Sequence, residues 1–442
     1  MRFGGLIAKR WPVVGGVLLV AALVAFLAKG RSSAPQIVTL PNGQQYRFAG
    51  TTYGTNHVHG PILARLVERL PTAIAMRVKK SLGSRLGQVS SRHSVLPSLF
   101  FWFDPLGTNF PAAGSSVGVS AILVDAKGDT GGTQSRANAP LQGLMFWAVP
   151  RRGAVLELRL FRNAAIPPAE VGRIRIPNPL YGRFPQWQPE PVPAVKMAGD
   201  LEVHLEHFLT LPGRNGEEAR TIFDFALKSA SRGPKETWVI HSGELSDATG
   251  NHLLLDLRET GEVKSRNLFT GTLWPDETAW RLRLELKRIV PRLLFEPAEY
   301  GFRPDEVITF TNVPVLAAGA TNTLWRTNTI GGVQVVLCEY VQEPSRSGGS
   351  GVNTTGRPKF HVECAGVQEG ISLDFVAAAT RSGQVLDARP RGRFPLGEPF
   401  RPADCFLEVA LLAPPPNAQA VDLTWVVQKT RSVDFLVNPP SP

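Results

Sequence analysis

Gly199-Asp-Leu-Glu-Val203-His-Leu205-Glu-His-Phe208 and, 132 residues on, Gly331-Gly-Val-Gln-Val335-Val-Leu337-Cys-Glu-Tyr340 are two copies of one pattern. In both, glycine opens a run with apolar side chains at alternate positions, the period of a strand with one buried face. Later features recur in the same order. Phe223-Asp-Phe225, Trp238-Val-Ile240, Leu282-Arg-Leu284-Glu-Leu286 and Ile308-Thr-Phe310 are echoed by Phe360-His-Val362, Leu373-Asp-Phe375, Leu423-Thr-Trp425-Val-Val427 and Val433-Asp-Phe435. The offsets drift between 125 and 141 residues, as insertions in surface loops make them do.

A fainter third copy lies upstream. Leu156-Glu-Leu158-Arg-Leu160 and Arg173-Ile-Arg-Ile-Pro177 stand where the last two strands of each later unit stand. A turn is shared as well: Val124-Asp-Ala-Lys-Gly-Asp129, Ser246-Asp-Ala-Thr-Gly-Asn251 and the degenerate Thr380-Arg-Ser-Gly-Gln384. Asp accepts backbone hydrogen bonds there and Gly supplies positive φ, the chemistry of a hairpin turn. Units of about 110 to 120 residues with this alternation resemble immunoglobulin-like and fibronectin-type β-sandwiches. The resemblance covers residues 95–440, is one of fold, and carries no functional residues with it.

The expected architecture is therefore mainly β: tandem antiparallel β-sandwich domains behind an N-terminal transmembrane helix and a short helical segment. The boundaries read as a basic tail at 1–10, the apolar span at 11–28, a first β domain at 35–184 with a helical insertion near 60–83, a Pro-rich linker at 185–194, and β-sandwiches at 195–315 and 316–442. Pro41-Asn42-Gly43 between two extended runs predicts a hairpin. Ile62, Leu63, Leu66, Val67 and Leu70 share one helical face behind Pro61, and Pro71 stops that helix. The prolines of Pro185-Gln-Trp-Gln-Pro189-Glu-Pro191-Val-Pro193 read as a stiff spacer.

The net charge of +11 is concentrated rather than spread. Residues 1–100 hold 13 basic side chains against the single acid Glu68, whereas the remaining 342 residues carry 35 basic and 36 acidic. That distribution disfavours nucleic acid, which wants basic and aromatic residues interleaved over a folded domain. It favours anionic lipid near the apolar span, with Arg77, Lys79 and Lys80 of the helical segment as the candidate contacts. Trp11 to Ala28 is free of charge. At about 1.5 Å per residue it just crosses a hydrocarbon core of about 30 Å. The small-x-small sites after it, Ala28-Lys-Gly30 and Ser32-Ser-Ala34, are poor cleavage sites, so an uncleaved anchor is expected. Basic charge near the two ends is almost balanced. A ten-residue tail before a large β-rich body points to an extracytoplasmic body.

Candidate chemistry is sparse. His57-Val-His59 shares a strand face and is the better-spaced metal pair, while His204 and His207, three apart, point to opposite faces of a regular strand. Asp125, Asp129, Asp247 and Asn251 offer turn oxygens but far fewer than calcium needs. Trp238, Trp280 and Trp425 sit at alternating strand positions and read as core. Of Cys338, Cys364 and Cys405, the first two fall in consecutive strands and are the expected disulfide. No catalytic, cofactor or metal-ligating residue is assigned. The expectation is a non-enzymatic, membrane-anchored envelope protein serving as an interaction surface or spacer, with a glycan- or peptide-binding module as the alternative and an extracytoplasmic enzyme behind it.

Overall fold

The computed structural model describes residues 35–40, 43–61, 67, 76, 89–106, 119–125, 130–137, 141–162, 169–211, 220–229, 234–255, 266–290, 296–315, 321–342, 346–347, 353–354, 358–368, 370–395, 405–411 and 419–439. Of these, 68% lie in strands, paired in several antiparallel sheets. The apolar span 11–28 and the basic residues Arg77, Lys79 and Lys80 lie outside the described residues. So does the helical insertion apart from Val67, helical and buried, and Met76, helical and exposed. No helix among the described residues is long and apolar enough to cross a membrane.

The chain divides into a unit ending at Gly182 and a unit beginning at Arg183. The first contains β1 (Ile37–Thr39), β2 (Gln45–His59), β3 (Ser90–Leu106), β4 (Val119–Val124), β5 (Thr130–Ala137), β6 (Gly143–Phe146), β7 (Val155–Arg162) and β8 (Ala169–Pro177). Its sheets have the orders β1-β2-β3-β6 and β5-β4-β7-β8. The β1–β2 connection is the expected hairpin, with Gly43 at φ 80° and its N–H donating to the Leu40 carbonyl at 2.9 Å.

The second unit holds two further copies of this plan. One runs through β9 (Ala194–Ala198), β10 (Leu201–Leu211), β11 (Arg220–Ser229), β12 (Trp238–Asp247), β13 (His252–Leu254), β14 (Arg266–Thr270) and β15 (Trp280–Arg288), followed by β16 (Val307–Pro314). The other runs through β17 (Thr321–Ile330), β18 (Val333–Gln342), a short β19–β20 pair (Arg346–Ser347, Asn353–Thr354), β21 (Pro358–Ala365), β22 (Ile371–Thr380), β23 (Val385–Leu386), β24 (Ala388–Pro395), β25 (Cys405–Leu411) and β26 (Ala420–Lys429), followed by β27 (Arg431–Val437). The sheets are β9-β10-β11-β14 with β13-β12-β15-β27, and β17-β18-β21-β25-β24 with β23-β22-β26-β16. In each copy the first, second, third and sixth strands form one sheet and the fifth, fourth, seventh and eighth the other; β24 is an added edge strand. The shared turn recurs at the level of hydrogen bonds. Asp247 N–H donates to the Asn251 carbonyl and Gly250 N–H to the Asp247 carbonyl, and Thr380, Gln384 and Gly383 repeat both bonds.

The two eighth strands are exchanged. β16, which follows β15 in sequence, pairs with β26, setting Ile308 opposite Trp425 and Phe310 opposite Leu423. β27, which follows β26, pairs with β15, setting Leu282 opposite Phe435 and Leu284 opposite Val433. The sequence reading put residues 307–314 with the second unit of the repeat and 431–437 with the third; their pairing places each with the other. The reason is the connection. In the first copy, residues 163–168 separate β7 from β8, which fold back on each other. Only Thr430 separates β26 from β27, and a hairpin needs at least two turn residues, so β27 runs straight on into the neighbouring sheet. β16 then fills the position left beside β26, reached through residues 289–306. Burial agrees: Ile308, Phe310 and Val313 belong to one buried cluster with Leu337, Phe360 and Trp425.

A repeated contact marks the equivalence of native and exchanged strands. In each copy a side chain at or beside the first strand donates to a carbonyl of the eighth: Gln36 Nε2 to Arg175 O at 2.8 Å, Lys196 Nζ to Asp434 O at 2.7 Å, and Arg326 Nη1 to Thr311 O at 2.7 Å. The Pro-rich stretch, expected as a stiff linker, packs on the exchanged strand. Glu190 N–H donates to Leu436 O at 2.6 Å, and the Trp187 carbonyl accepts Thr278 Oγ1 at 2.8 Å.

The exchange makes each of the last two repeats depend on the other. Phe435→Ala, which removes a side chain only 1% exposed, is expected to cost about 3–5 kcal/mol. Hydrogen exchange should then lose protection first at Leu282 and Leu284 of β15, and less in β26, the strand contiguous with the mutation.

Candidate functional site

His57 and His59 do share a face, and the structure gives both to packing. The ladder from Asn56 to His59 opposite Ser90 to His93 doubles back on the same two strands, helped by Gly50 and Gly54 at φ 135° and 133°. His57 is fully buried against the Phe100 ring, with Thr52 Oγ1 at 3.0 Å from Nδ1 and Ser98 Oγ at 2.8 Å from Nε2. His59 stacks on Trp102 at 5.0 Å and meets Asp104 at 3.0 Å, the carboxylate that also pairs with Arg47. This folded-back ribbon covers the outer face of β3, so the run Leu99-Phe-Phe-Trp-Phe103 is buried on both sides rather than alternating. Burial pushes the His57 pKa below 6.5; the Thr52 and Gly54 backbone oppose that shift, and the nearby His93 adds to it.

The second pair differs from the sequence expectation. A bulge at Glu206, between Leu205↔Phe225 and His207↔Asp224, restores parity and puts His204 and His207 on the same face. His204 bonds Glu202, and no group of three or more His, Cys, Asp or Glu able to hold a metal occurs among the described residues. The acidic turn is self-contained. Asp247 Oδ1 accepts the Thr249 and Asn251 N–H groups and Oδ2 accepts Asn251 Nδ2, all buried. Trp238, Trp280 and Trp425 are buried. Cys338 and Cys364, the expected disulfide, are not joined. Register explains this: Cys364 lies opposite Val335, whereas Cys338 occupies a bulge between Leu337↔Val362 and Glu339↔His361.

The polar groups that sequence reasoning missed lie where the exchanged strands cross. Lys287 Nζ bonds Asp374 Oδ1 at 2.5 Å, and Ser372 Oγ donates to Asp374 Oδ2 at 2.6 Å. Gln428, 1% exposed, grips the Arg288 backbone from both sides, accepting its N–H at 3.0 Å and donating to its carbonyl at 3.1 Å. The Arg288 guanidinium, also buried, pairs with Glu306 at 2.9 Å and lies 4.2 Å over the Phe302 ring. Burial alone would raise the Asp374 pKa; Lys287, Ser372 and the field of His241 outweigh it and hold the carboxyl below its ordinary range. These residues come from β15, β22, β26 and the 289–306 connection, so no local motif announces them. The signal the sequence does carry is a charged residue where alternation predicts an apolar one, at Arg288, in phase with Leu282, Leu284 and Leu286.

Beside this lock opens a cleft of about 810 Å³, lined by Trp238, Ile330, Ile371 and Val427 with Arg303, Lys429 and Arg431 among its charged groups. Trp238 is fixed: Arg431 lies 4.4 Å over its ring and its Nε1–H donates to Glu236 at 2.9 Å. Arg431 in turn pairs with Asp200 and donates to Ala198 O at 3.2 Å. Thr430, the single connecting residue, lines the cleft with its hydroxyl buried and without a hydrogen-bond partner. The arrangement suits binding: apolar walls, a charged rim of both signs, and a backbone pinned on two sides. No protein-family model, curated protein or solved structure matches the chain.

Two outcomes test these assignments. Lys287→Met leaves a carboxylate that is 19% exposed without its cation and is expected to cost about 1–3 kcal/mol, most of it recovered in Lys287→Met/Asp374→Leu; denaturant midpoints of the three proteins decide it. For His57, the unfolded chain binds the proton more readily than the folded one, so its contribution to stability is complete above pH 6.5 and declines as pH falls below it. His57→Gln should flatten that acid limb in thermal unfolding followed against pH.

Proposed function

We propose that this chain is a non-enzymatic envelope protein, held in the membrane by residues 11–28, whose tandem immunoglobulin-like β-sandwiches present an interaction surface outside the cytoplasm. The observation that supports it is the cleft beside the strand exchange. Binding loses affinity to the ordering of loops and domains, and a cleft fixed by a shared strand and a buried polar lock has little left to order. Within this reading an extended peptide fits better than a glycan. A sugar would want an open aromatic face, and the Trp238 ring is already covered by Arg431. The rim charges of Lys429, Arg303 and Asp305 can pair with either sign along a peptide. The basic segment carrying Arg77, Lys79 and Lys80 belongs beside the anchor on anionic headgroups in the same proposal.

The test is chemical cross-linking of the full chain in its native membrane, followed by capture. Wild type is expected to retain a partner that Lys429→Glu together with Arg303→Glu releases about tenfold more readily, with unchanged unfolding midpoint. Capture indifferent to both substitutions overturns the cleft assignment. Protease that digests the body only after the inner membrane is opened overturns the extracytoplasmic one.

A further inference from the structure

Cys364 and Cys405 occupy directly opposite positions on β21 and β25, the last rung of a ladder that runs from Lys359↔Ala410 to Cys364↔Cys405. Directly opposite residues of an antiparallel pair lie on the same face, with Cα atoms about 4.5 Å or 5.5 Å apart according to the rung. Both values fall inside the range of about 4.4–6.8 Å that a disulfide spans. Cys364 is 2% exposed and belongs to the buried cluster of the third repeat, so that face is the core face. The third cysteine is placed otherwise. Cys338 sits at the bulge of β18, with its thiol directed to the Val336 carbonyl at 3.4 Å. Burial pushes that thiol up, a backbone hydrogen bond at Glu363 opposes the shift, and the Glu363 and Glu339 carboxylates add to it, which leaves a poor nucleophile at neutral pH.

We propose that Cys364, a thiol in this structure, is oxidised together with Cys405 to a cross-strand disulfide that fastens β25 to β21, with Cys338 left as a thiol. The oxidant is a second disulfide, that of an oxidising thiol–disulfide exchange protein or of oxidised glutathione. One cysteine thiolate attacks the donor disulfide and forms a mixed disulfide while one donor thiol leaves; the other cysteine then attacks the mixed bond and releases the second donor thiol. One sulfur–sulfur bond is made and one is broken, and two electrons and two protons pass to the donor. Because Cys364 is buried in the folded sheet, the bond forms as the repeat folds. The supply of oxidant rests on the extracytoplasmic placement of the body; the choice of partners does not.

The full chain is quenched with iodoacetamide in its native membrane, purified without reductant and mapped by peptide mass spectrometry. The expected result is one linked peptide pair containing Cys364 and Cys405, heavier by two hydrogens in total after reduction, with Cys338 alkylated alone. In parallel the full chain is unfolded, reduced, and refolded in detergent with oxidised and reduced glutathione, where the same link should appear. Cys338→Ser should leave it unchanged, and Cys405→Ser should abolish it without creating a link from Cys338 to Cys364. A link that involves Cys338, or three alkylated thiols after refolding, overturns the proposal. Three alkylated thiols from the native membrane with the 364–405 link formed on refolding supports the pairing and instead removes the extracytoplasmic placement.

Discussion

A single residue, Thr430, governs the second half of this molecule. Two strands separated by one residue cannot fold back on each other, because the tightest antiparallel turn needs two. β26 and β27 therefore run end to end across two sheets, and the last strand of the chain completes a sheet whose other members end at Arg288. Everything else at the junction follows. The vacancy beside β26 is filled by β16, and the connection 289–306 is long enough to carry it there. Because Phe435 and Phe310 are buried in their host sheets rather than their parent ones, each repeat has part of its core supplied by the other.

Crossing strands bring backbone ends together inside the protein, and buried backbone groups need partners. Gln428 meets that requirement by closing both hydrogen bonds of Arg288, and the Lys287–Asp374 pair closes the charge balance alongside it. A part-buried ion pair of this kind adds little net stability over apolar packing, since desolvation offsets most of the attraction. What it adds is register. Gln428 ties β15 to β26 and Lys287–Asp374 ties it to β22, so the register of the junction beside Trp238 is held at two points.

The first repeat shows the same plan without the exchange, and the comparison isolates the cause. There the seventh and eighth strands are separated by six residues and form a hairpin. Its special feature lies elsewhere, in the ribbon that folds back over β3. Gly50 and Gly54 permit the bend, and the histidines that looked like a metal pair fill the space between ribbon and sheet. Their hydrogen bonds to Thr52, Ser98 and Asp104 engage both ring nitrogens of His57 and Nε2 of His59.

By itself the sequence determined the mainly β character and the recurring order of the principal strands, because alternation with period two and turn chemistry are local properties. The matched turns at Asp247 and Thr380 were legible for that reason, down to the glycine at positive φ. It also determined that Trp238, Trp280 and Trp425 belong inside. Only the tertiary structure decided which sheet receives each eighth strand, because Ile308-Thr-Phe310 and Val433-Asp-Phe435 carry the same apolar signal and fit either slot. It also decided the face of His207, which a bulge reverses, and the residue that stands opposite Cys364, which depends on register rather than on sequence proximity. Pairing between strands far apart in the chain is settled by loop length, bulges and buried polar contacts acting together, and none of these is written in any one segment.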